Sequence, residues 1–505
     1  MGLLDRFRSW RTSRVVESDP YREAFNRNLR AKYDAAQTTS DNENHWANSD
    51  SLGPNSANSS AVRKKVRQRA RYEALENNSY ARGMVLSFAN ALIGTGPRLQ
   101  LATRDKQANQ RVEKSFHRWA EEVGLAEKLR TMAMAYTVDG EAFALFTTND
   151  RLTHDVKLDL VPLECDYFEP AWTLSSEIVD GAEYDESNNP TRWYKWDEHP
   201  GETTIASQSF EPTAVDAAQV LHVHRPDRPG QRRGISHLVT ALPLFAMYRR
   251  FKLATLAAAE TAADFAAVLH TPGDGSPTTP GNNTHWGATI PVEHRAMMVL
   301  PDGYQMSQFS PEHPQSTLEM FETRIVSEVA RCLLQPLNIA LGSSKDHNFS
   351  SGKLDHLGWD RAILVERSRW ICRVLHRIVR AWLDEAALIP GLLPVGVGPI
   401  AEWDYSYRWD GSGVIDEAKQ ATADQTNLAN GTTTRTDIYA RNGKDIDVED
   451  AVAASENGVT VEEYRRGLWE ARNGGGDSAE ANEDTETDEA ETEAEAEAAE
   501  FYRGQ

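Results

Sequence analysis

Cysteine is scarce in this chain: Cys165, Cys332 and Cys372 are the only three among 505 residues, far apart and odd in number. With no CxxC pair, neither a disulfide framework nor a zinc knuckle is expected, and a reducing compartment fits. No uncharged apolar run approaches the roughly 18 residues of a membrane span, and the best candidate is broken by Glu260 and Asp264. The GxxxxGK phosphate loop, the GxSxG elbow and HExxH are all missing, so a motor, a serine hydrolase or a metalloprotease is a poor fit. Positive charge is short as well. Lys plus Arg total 54 against 76 for Asp plus Glu, a formal net charge of −22. A protein that grips nucleic acid by neutralising phosphates needs the opposite balance. The first residues, MGLLDRFRSW, carry no continuous apolar core, so no secretory signal is expected, and Arg6 stands where a myristoylation signal wants Ser or Thr. A soluble chain made inside a cell is the expectation.

What remains is ordinary globular composition, 40% hydrophobic and 26% charged, in a chain long enough for about three structural units and a sizeable core. Leu3, Leu4, Phe7 and Trp10 can share a helical face near the start, and residues 37–60 read as a polar linker. AVRKKVRQRARYEALENN holds the densest basic run, Arg63 to Arg71, and leads into an amphipathic helix stopped by the glycines and proline of IGTGPRLQ. A helix near 125–138 precedes strand-like runs in EAFALFTT, KLDLVPLE, TRWYKWDE and AQVLHVHR, with turn signals at Ser187–Pro190 and His199–Gly201. This region is α+β.

After RPDRPGQRRGIS the spacing predicts a long Ala-rich helix over 236–270. A Gly/Pro-rich stretch, 271–314, follows, with a hairpin expected between 296–300 and 304–309. Leu318, Phe321, Ile325, Val329 and Leu333 have the spacing of a buried helical stripe that Pro336 ends. The polar loop 341–353, LGSSKDHNFSSGK, separates it from a long helix reaching about Leu388, whose Ile371, Val374, Leu375, Ile378 and Trp382 share one face. Short helices with capping signals recur from Val414 to about Trp469. Residues 477–500 hold twelve acidic and no basic side chains, a composition that predicts disorder.

Five clusters could carry chemistry. His222 and His224, at i and i+2 on a strand and with Asp227 nearby, could hold a metal, although histidines bonded to neighbours at a strand edge are the plainer reading. Asp445, Asp447, Glu449 and Asp450 could hold a divalent cation, but they lack the glycine of an EF-hand loop and also suit a solvated helix start. The run Arg63–Arg71 and the stripe Arg369, Arg373, Arg377 and Arg380 could bind DNA or an acidic partner, or could be solvated faces. The loop 341–353 carries Lys345, Asp346, His347, Asn348 and Lys353, donors suited to function or to a plain connection.

Taken in order, the strings NNSYARGMVLSFANALIGTGPRLQ (77–100), VLHVHRPDRPGQRRGISHLVTALPLFAMYRRFKLATLAAAETAADFAAVL (220–269), residues 321–388 and AKQATADQTNLANGTTTRTDIYARNGKDIDVED (418–450) resemble the portal proteins of tailed bacteriophages, in particular the lambda-like group. The loop departs from the family pattern, with His347 and Phe349 where tyrosines are common. The resemblance implies an α+β portal fold assembled as a ring, usually of twelve subunits, at one capsid vertex. Double-stranded DNA would pass through it during packaging and ejection, and it would contact the large terminase subunit, a head–tail adaptor, the major capsid protein and scaffold. Neither catalysis nor a cofactor nor a membrane is implied. On this resemblance, 1–60 is an arm and linker, 61–235 the wing, 236–270 a stem helix and 271–314 the clip. Residues 315–340 are then a second stem helix, 341–353 the tunnel loop, 354–400 a long helix and wing return, 401–470 the crown and 471–505 an acidic tail. Lys345, Asp346, His347, Asn348, Phe349 and Lys353 would face the channel, and Arg369, Arg373, Arg377 and Arg380 would form a basic contact stripe. Another capsid or tail ring protein, and a metal-dependent nuclease or hydrolase, remain the competing readings.

Overall fold

Arg63, Arg67 and Arg71 recur every four residues, which on a helix puts them on one face. In the computed structural model they lie on α1, Ser60–Arg71, and Arg63 and Arg67 are buried. The structure describes residues 40, 43–169, 178–202, 211–264, 268–270, 305–307, 315–345, 349–394, 399–411 and 417–473. The chain divides into two units at Ala57/Asn58. Of the first, the described part is a set of turns around Trp46 and one helical turn, Pro54–Ala57. Everything below concerns the second.

α1 widens into a π-turn, Tyr72–Asn77, and stops at Asn78, whose extended backbone and side-chain carbonyl cap α2, Ser79–Ile93, by accepting from the Tyr80 and Ala81 amides. The sequence leads the basic run into a helix without marking a break; the structure breaks the chain at Asn78, because asparagine competes with the helical backbone for its own hydrogen bonds. α2 buries Ala81, Met84, Val85, Phe88, Ala89, Leu92 and Ile93. β1, Arg98–Leu101, pairs antiparallel with β11, Tyr405–Arg408, tying the early chain to the late chain. α3, Lys106–Glu122, is capped by Asp105, and α4, Leu125–Val138, falls where the sequence places it.

The central sheet is three-stranded with order β3-β2-β8: β2 Glu141–Thr148, β3 Leu158–Leu163 and β8 Val220–His224. A four-stranded antiparallel sheet stands beside it: β4 Ile178–Val179, β5 Ala182–Tyr184, β6 Pro190–Lys195 and β7 Thr213–Asp216. Both faces of β2 are buried. Ala142 and Ala144 join the main core with Trp119, Trp370 and Trp382, while Phe143 joins a smaller core with Cys165, Phe168 and Trp193. In the main core the Trp119 indole N–H donates to the Leu158 carbonyl at 2.8 Å, and Phe116 meets Trp382 edge-on at 5.3 Å.

α5 runs Leu242–Asp264, shorter at both ends than the expected 236–270, and Val268–His270 is instead a strand, β9. β9 pairs antiparallel with β10, Gln305–Ser307. The described partner of β10 is therefore β9 and not 296–300, which lies outside the described residues. α6, Gln315–Ala330, packs on α5 through Phe251 and Phe321, ring centres 4.4 Å apart, and the Tyr248 hydroxyl donates to Glu322 at 2.7 Å. Of the predicted stripe, Val329 and Leu333 are buried, whereas Phe321 is exposed. α7, Leu337–Leu341, ends at Gly342 in the left-handed region. α8, Phe349–Trp370, passes through a π-turn, Ile371–Leu375, into α9, His376–Ala386, which buries Ile378, Val379, Trp382 and Leu383. Four short helices close the described chain: α10 Glu417–Ala429, α11 Arg435–Arg441, α12 Ile446–Glu456 and α13 Val461–Asn473. Thr434 and Asp437 form a reciprocal cap on α11.

Candidate functional site

Lys345 lies in the loop between α7 and α8, whereas Lys353 lies on α8, which takes up 349–353 of the loop expected over 341–353. Lys345 Nζ lies 2.6 Å from Glu319 Oε1 on α6, both side chains about two-thirds exposed, and this contact holds the Glu319 carboxyl below its usual range. Lys353 is exposed on the first turns of α8. Asp346, His347 and Asn348 lie outside the described residues, as does the side chain of Phe349, whose backbone opens α8.

The stripe Arg369, Arg373, Arg377 and Arg380 is not one uniform surface. Arg369 pairs with Glu366 at 2.7 Å and donates to the Tyr136 hydroxyl. Arg377 reaches across to β8 and donates to the carbonyls of Val220, Ala217 and Ala218 at 2.7–2.9 Å. Burial lowers its pKa below the usual guanidinium value. Arg380 pairs with Asp384 one turn on. Arg373 is exposed and has no hydrogen-bond or ion-pair partner among the described residues.

The basic run 63–71 divides by helix face. Lys64, Lys65 and Arg69 are exposed, whereas Arg63, Arg67 and Arg71 enter an ion-pair network. Arg63 meets Glu169 and Asp180, Arg67 meets Asp166 and Glu169, and Arg71 meets Asp139, Glu164 and Asp166, at 2.6–3.3 Å. Beside them Arg233 forks onto Glu141 at 2.6–3.0 Å, and both side chains are almost completely buried. Burial opposes the Arg233 charge, but Glu141 outweighs it and holds the guanidinium above its usual value. Burial likewise opposes the Glu141 charge, and Arg233 with His222 holds that carboxyl well below the carboxylate range. Sequence reading missed Arg233 and Glu141 as partners. The four-residue spacing of Arg63, Arg67 and Arg71 was the signal for an inward face.

His222 spends Nε2 on Glu141 at 3.0 Å and stacks on Phe143 and on His224. His224 Nε2 is 3.4 Å from the Gln231 carbonyl, and burial together with His222 pushes its pKa down to about 3. Asp227 turns to Arg225. The three candidate ligands therefore do not converge, and the plainer reading of strand histidines bonded to neighbours fits the contacts. The acidic cluster is equally engaged: Asp445 caps α12 and meets Arg408, Asp447 and Asp450 meet Arg465, and Glu449 meets Lys444. Among the described residues the one grouping with ligand-like spacing is Glu164, Asp166 and His199, and there Arg71 lies within 3.0 Å of both carboxylates. No helix among the described residues is long and apolar enough to cross a membrane.

Among the described residues, the titratable clusters named above are engaged with protein partners. A sequence model described as phage portal protein, lambda family, matches residues 40–367, from ahead of α1 to within α8. The chain belongs to the lambda family of phage portal proteins. It is 22% identical over 486 residues to the "Probable portal protein" of Halomonas phage phiHAP-1, covering 88% of this chain and 90% of the relative. Two solved structures share part of its shape. One chain from the "Virion of native gene transfer agent (GTA) particle" is 11% identical with a TM-score of 0.43, covering 75% of this chain and 93% of that one. Another, from the "Neck of native GTA particle computed with C12 symmetry", is 13% identical with the same TM-score and the same coverages. This portal family is a structural component of the virion and not an enzyme family, which decides against the nuclease or hydrolase reading.

Proposed function

We propose that this portal protein assembles as a ring, usually of twelve copies, around a passive channel for double-stranded DNA during packaging and ejection. The ring sits at one capsid vertex, contacts the major capsid protein and scaffold, and docks the large terminase subunit and a head–tail adaptor. Family membership over residues 40–367, a span holding the three- and four-stranded sheets, α5, α6 and residues 341–353, carries this reading. On it, 61–235 is the wing, 236–270 and 315–340 are stem, 271–314 is the clip and 401–470 is the crown. The loop 341–353 approaches DNA with Lys345, Asp346, His347, Asn348, Phe349 and Lys353.

The charge balance supports passage over capture. Each fixed cation that neutralises a phosphate releases counterions and tightens binding, so a densely basic wall would hold its cargo. This chain carries −22 overall, and of the two lysines within 341–353 one is already paired with Glu319. Of the arginine stripe, Arg373 alone is exposed without an ion-pair or hydrogen-bond partner among the described residues, which leaves little of the stripe to grip a duplex. Electron microscopy of the purified chain tests the proposal. The expected image is a ring with a central hole wide enough for a duplex, and a monomer or a closed shell overturns it.

A further inference from the structure

Between the β5–β6 turn, β8, the loop 226–232 and the α8–α9 junction lies an open pocket of about 650 Å³. Four arginines line it, Arg232, Arg369, Arg373 and Arg377, and no carboxylate lines it among the described residues. That is unusual ground in a protein with 76 acidic against 54 basic residues. Two of these charges lack an ionic counterpart among the described residues. Arg377 spends its donors on neutral carbonyls, and Arg373 is exposed with no ion-pair or hydrogen-bond partner. Arg232 sits over the Tyr184 ring, its guanidinium carbon 4.3 Å from the ring centre, and donates to Asn188 Oδ1 at 2.6 Å, which holds it at the pocket wall. His222 and His224 add no charge at neutral pH, since burial keeps both imidazoles neutral. The lining of the pocket is therefore net cationic.

We infer that its occupant is the acidic segment 477–500 of this chain, from the same copy or a neighbouring one. The segment is the densest anionic run in the sequence, with twelve carboxylates and no basic side chain, and it lies close behind α13, the last described helix. Extended, residues 474–494 span at most about 75 Å, which is the reach available to the middle of the segment. Tethering also supplies the segment at a local concentration on the order of millimolar, which free phosphate or passing DNA has to outcompete. Docking would cover the arginines and keep this patch from holding a duplex. The inference does not depend on ring formation.

Cys372 lines the same pocket, is exposed and carries a free thiol, so the full-length chain holds its own probe. In a Cys332→Ser background, Ala494→Cys places a thiol among the tail carboxylates. Mild oxidation at low salt, read by mass spectrometry of the linked peptides, should give a Cys372–residue 494 disulfide. Its yield should exceed, by about fivefold or more, that of a control in which Cys372→Ser and Lys64→Cys move the acceptor thiol to exposed α1. Arg373→Glu, at an exposed position with no contact to lose, or 1 M NaCl, which shortens electrostatic reach to about 3 Å, should remove that excess. A yield equal to the control, or one unchanged by Arg373→Glu, overturns the inference. So does an Arg373→Glu variant that keeps the disulfide while losing retention of duplex DNA, because the pocket would then be a phosphate site.

Discussion

Glu141 is the residue on which most of the buried charge converges. It opens β2 with no solvent exposure, takes the fork of Arg233, accepts from His222 and from the Gly234 amide, and lies beneath the histidine pair. Removing one member of such a pair leaves the other charged and unpaired away from water, at a cost of about 3–5 kcal/mol. Glu141→Gln is nearly isosteric, so it tests the charge and not the packing. Denaturant unfolding should show a loss of about 3 kcal/mol or more, and a loss under about 1 kcal/mol would mean that Glu169, 3.8 Å from Arg233, substitutes for it. This network was half legible in the sequence. The period of Arg63, Arg67 and Arg71 announces a shared face, but which face is buried depends on acidic partners 68 to 117 residues away, and no local pattern encodes those. The histidine pair shows the same limit: alternation on β8 puts both rings on one side, yet only the tertiary neighbour Glu141 decides that His222 is a hydrogen-bond partner and not a ligand.

At the level of elements, the positions of α4, β2, β3, β6, β8 and the α8–α9 helix follow from periodicity and turn residues, and the departures have local causes. Asn78 divides a helix that hydrophobic spacing alone runs together. β9 takes residues that an alanine-rich helical pattern claims, because strand pairing with β10 is a contact that the helix period cannot register. The junction of α4 with β2 has no signal in the sequence beyond a glycine. Gly140 has φ +90°, and a Cβ there would collide with the Ile235 and Ser236 backbone, while a Cβ on Gly234 would strike the Gly140 carbonyl. These two glycines let the 235–236 segment lie against the start of β2 and so place Arg233 over Glu141. Gly140→Ala should therefore cost about 3 kcal/mol or more, or yield no soluble protein, because rigid backbone cannot yield. Gly458→Ala is the matched control: its φ is +65° with nothing within 4 Å, so only the left-handed conformation is penalised, by about 1 kcal/mol. Comparable melting temperatures for the two variants would show that the close approach is not required.

For the whole molecule, one chain leaves apolar surface uncovered on its long helices. Leu354, Leu357, Leu364 and Val365 on α8 are each more than half exposed, as are Met247, Leu253 and Leu256 on α5 and Met320 on α6. Exposed apolar residues scattered singly are normal, but repeats along the same helices mark surface that a partner covers. Phe321, too, falls on a stripe that the sequence expects to be buried, yet it is exposed in the isolated chain. A cyclic ring covers such faces heterologously, one side of a copy against a different side of the next, so it needs no self-complementary patch. Leu357 and Leu364 are seven residues apart and so lie on the same side of α8. Leu357→Lys with Leu364→Lys should leave the melting temperature of the single chain within a degree or two, since neither residue is buried within it. Light scattering should then show the assembled species of the parent replaced by monomer, with the loss partly reversed in high salt as the added lysines are screened. Assembly that survives both lysines would place the contacts between copies on the α5 and α6 faces instead.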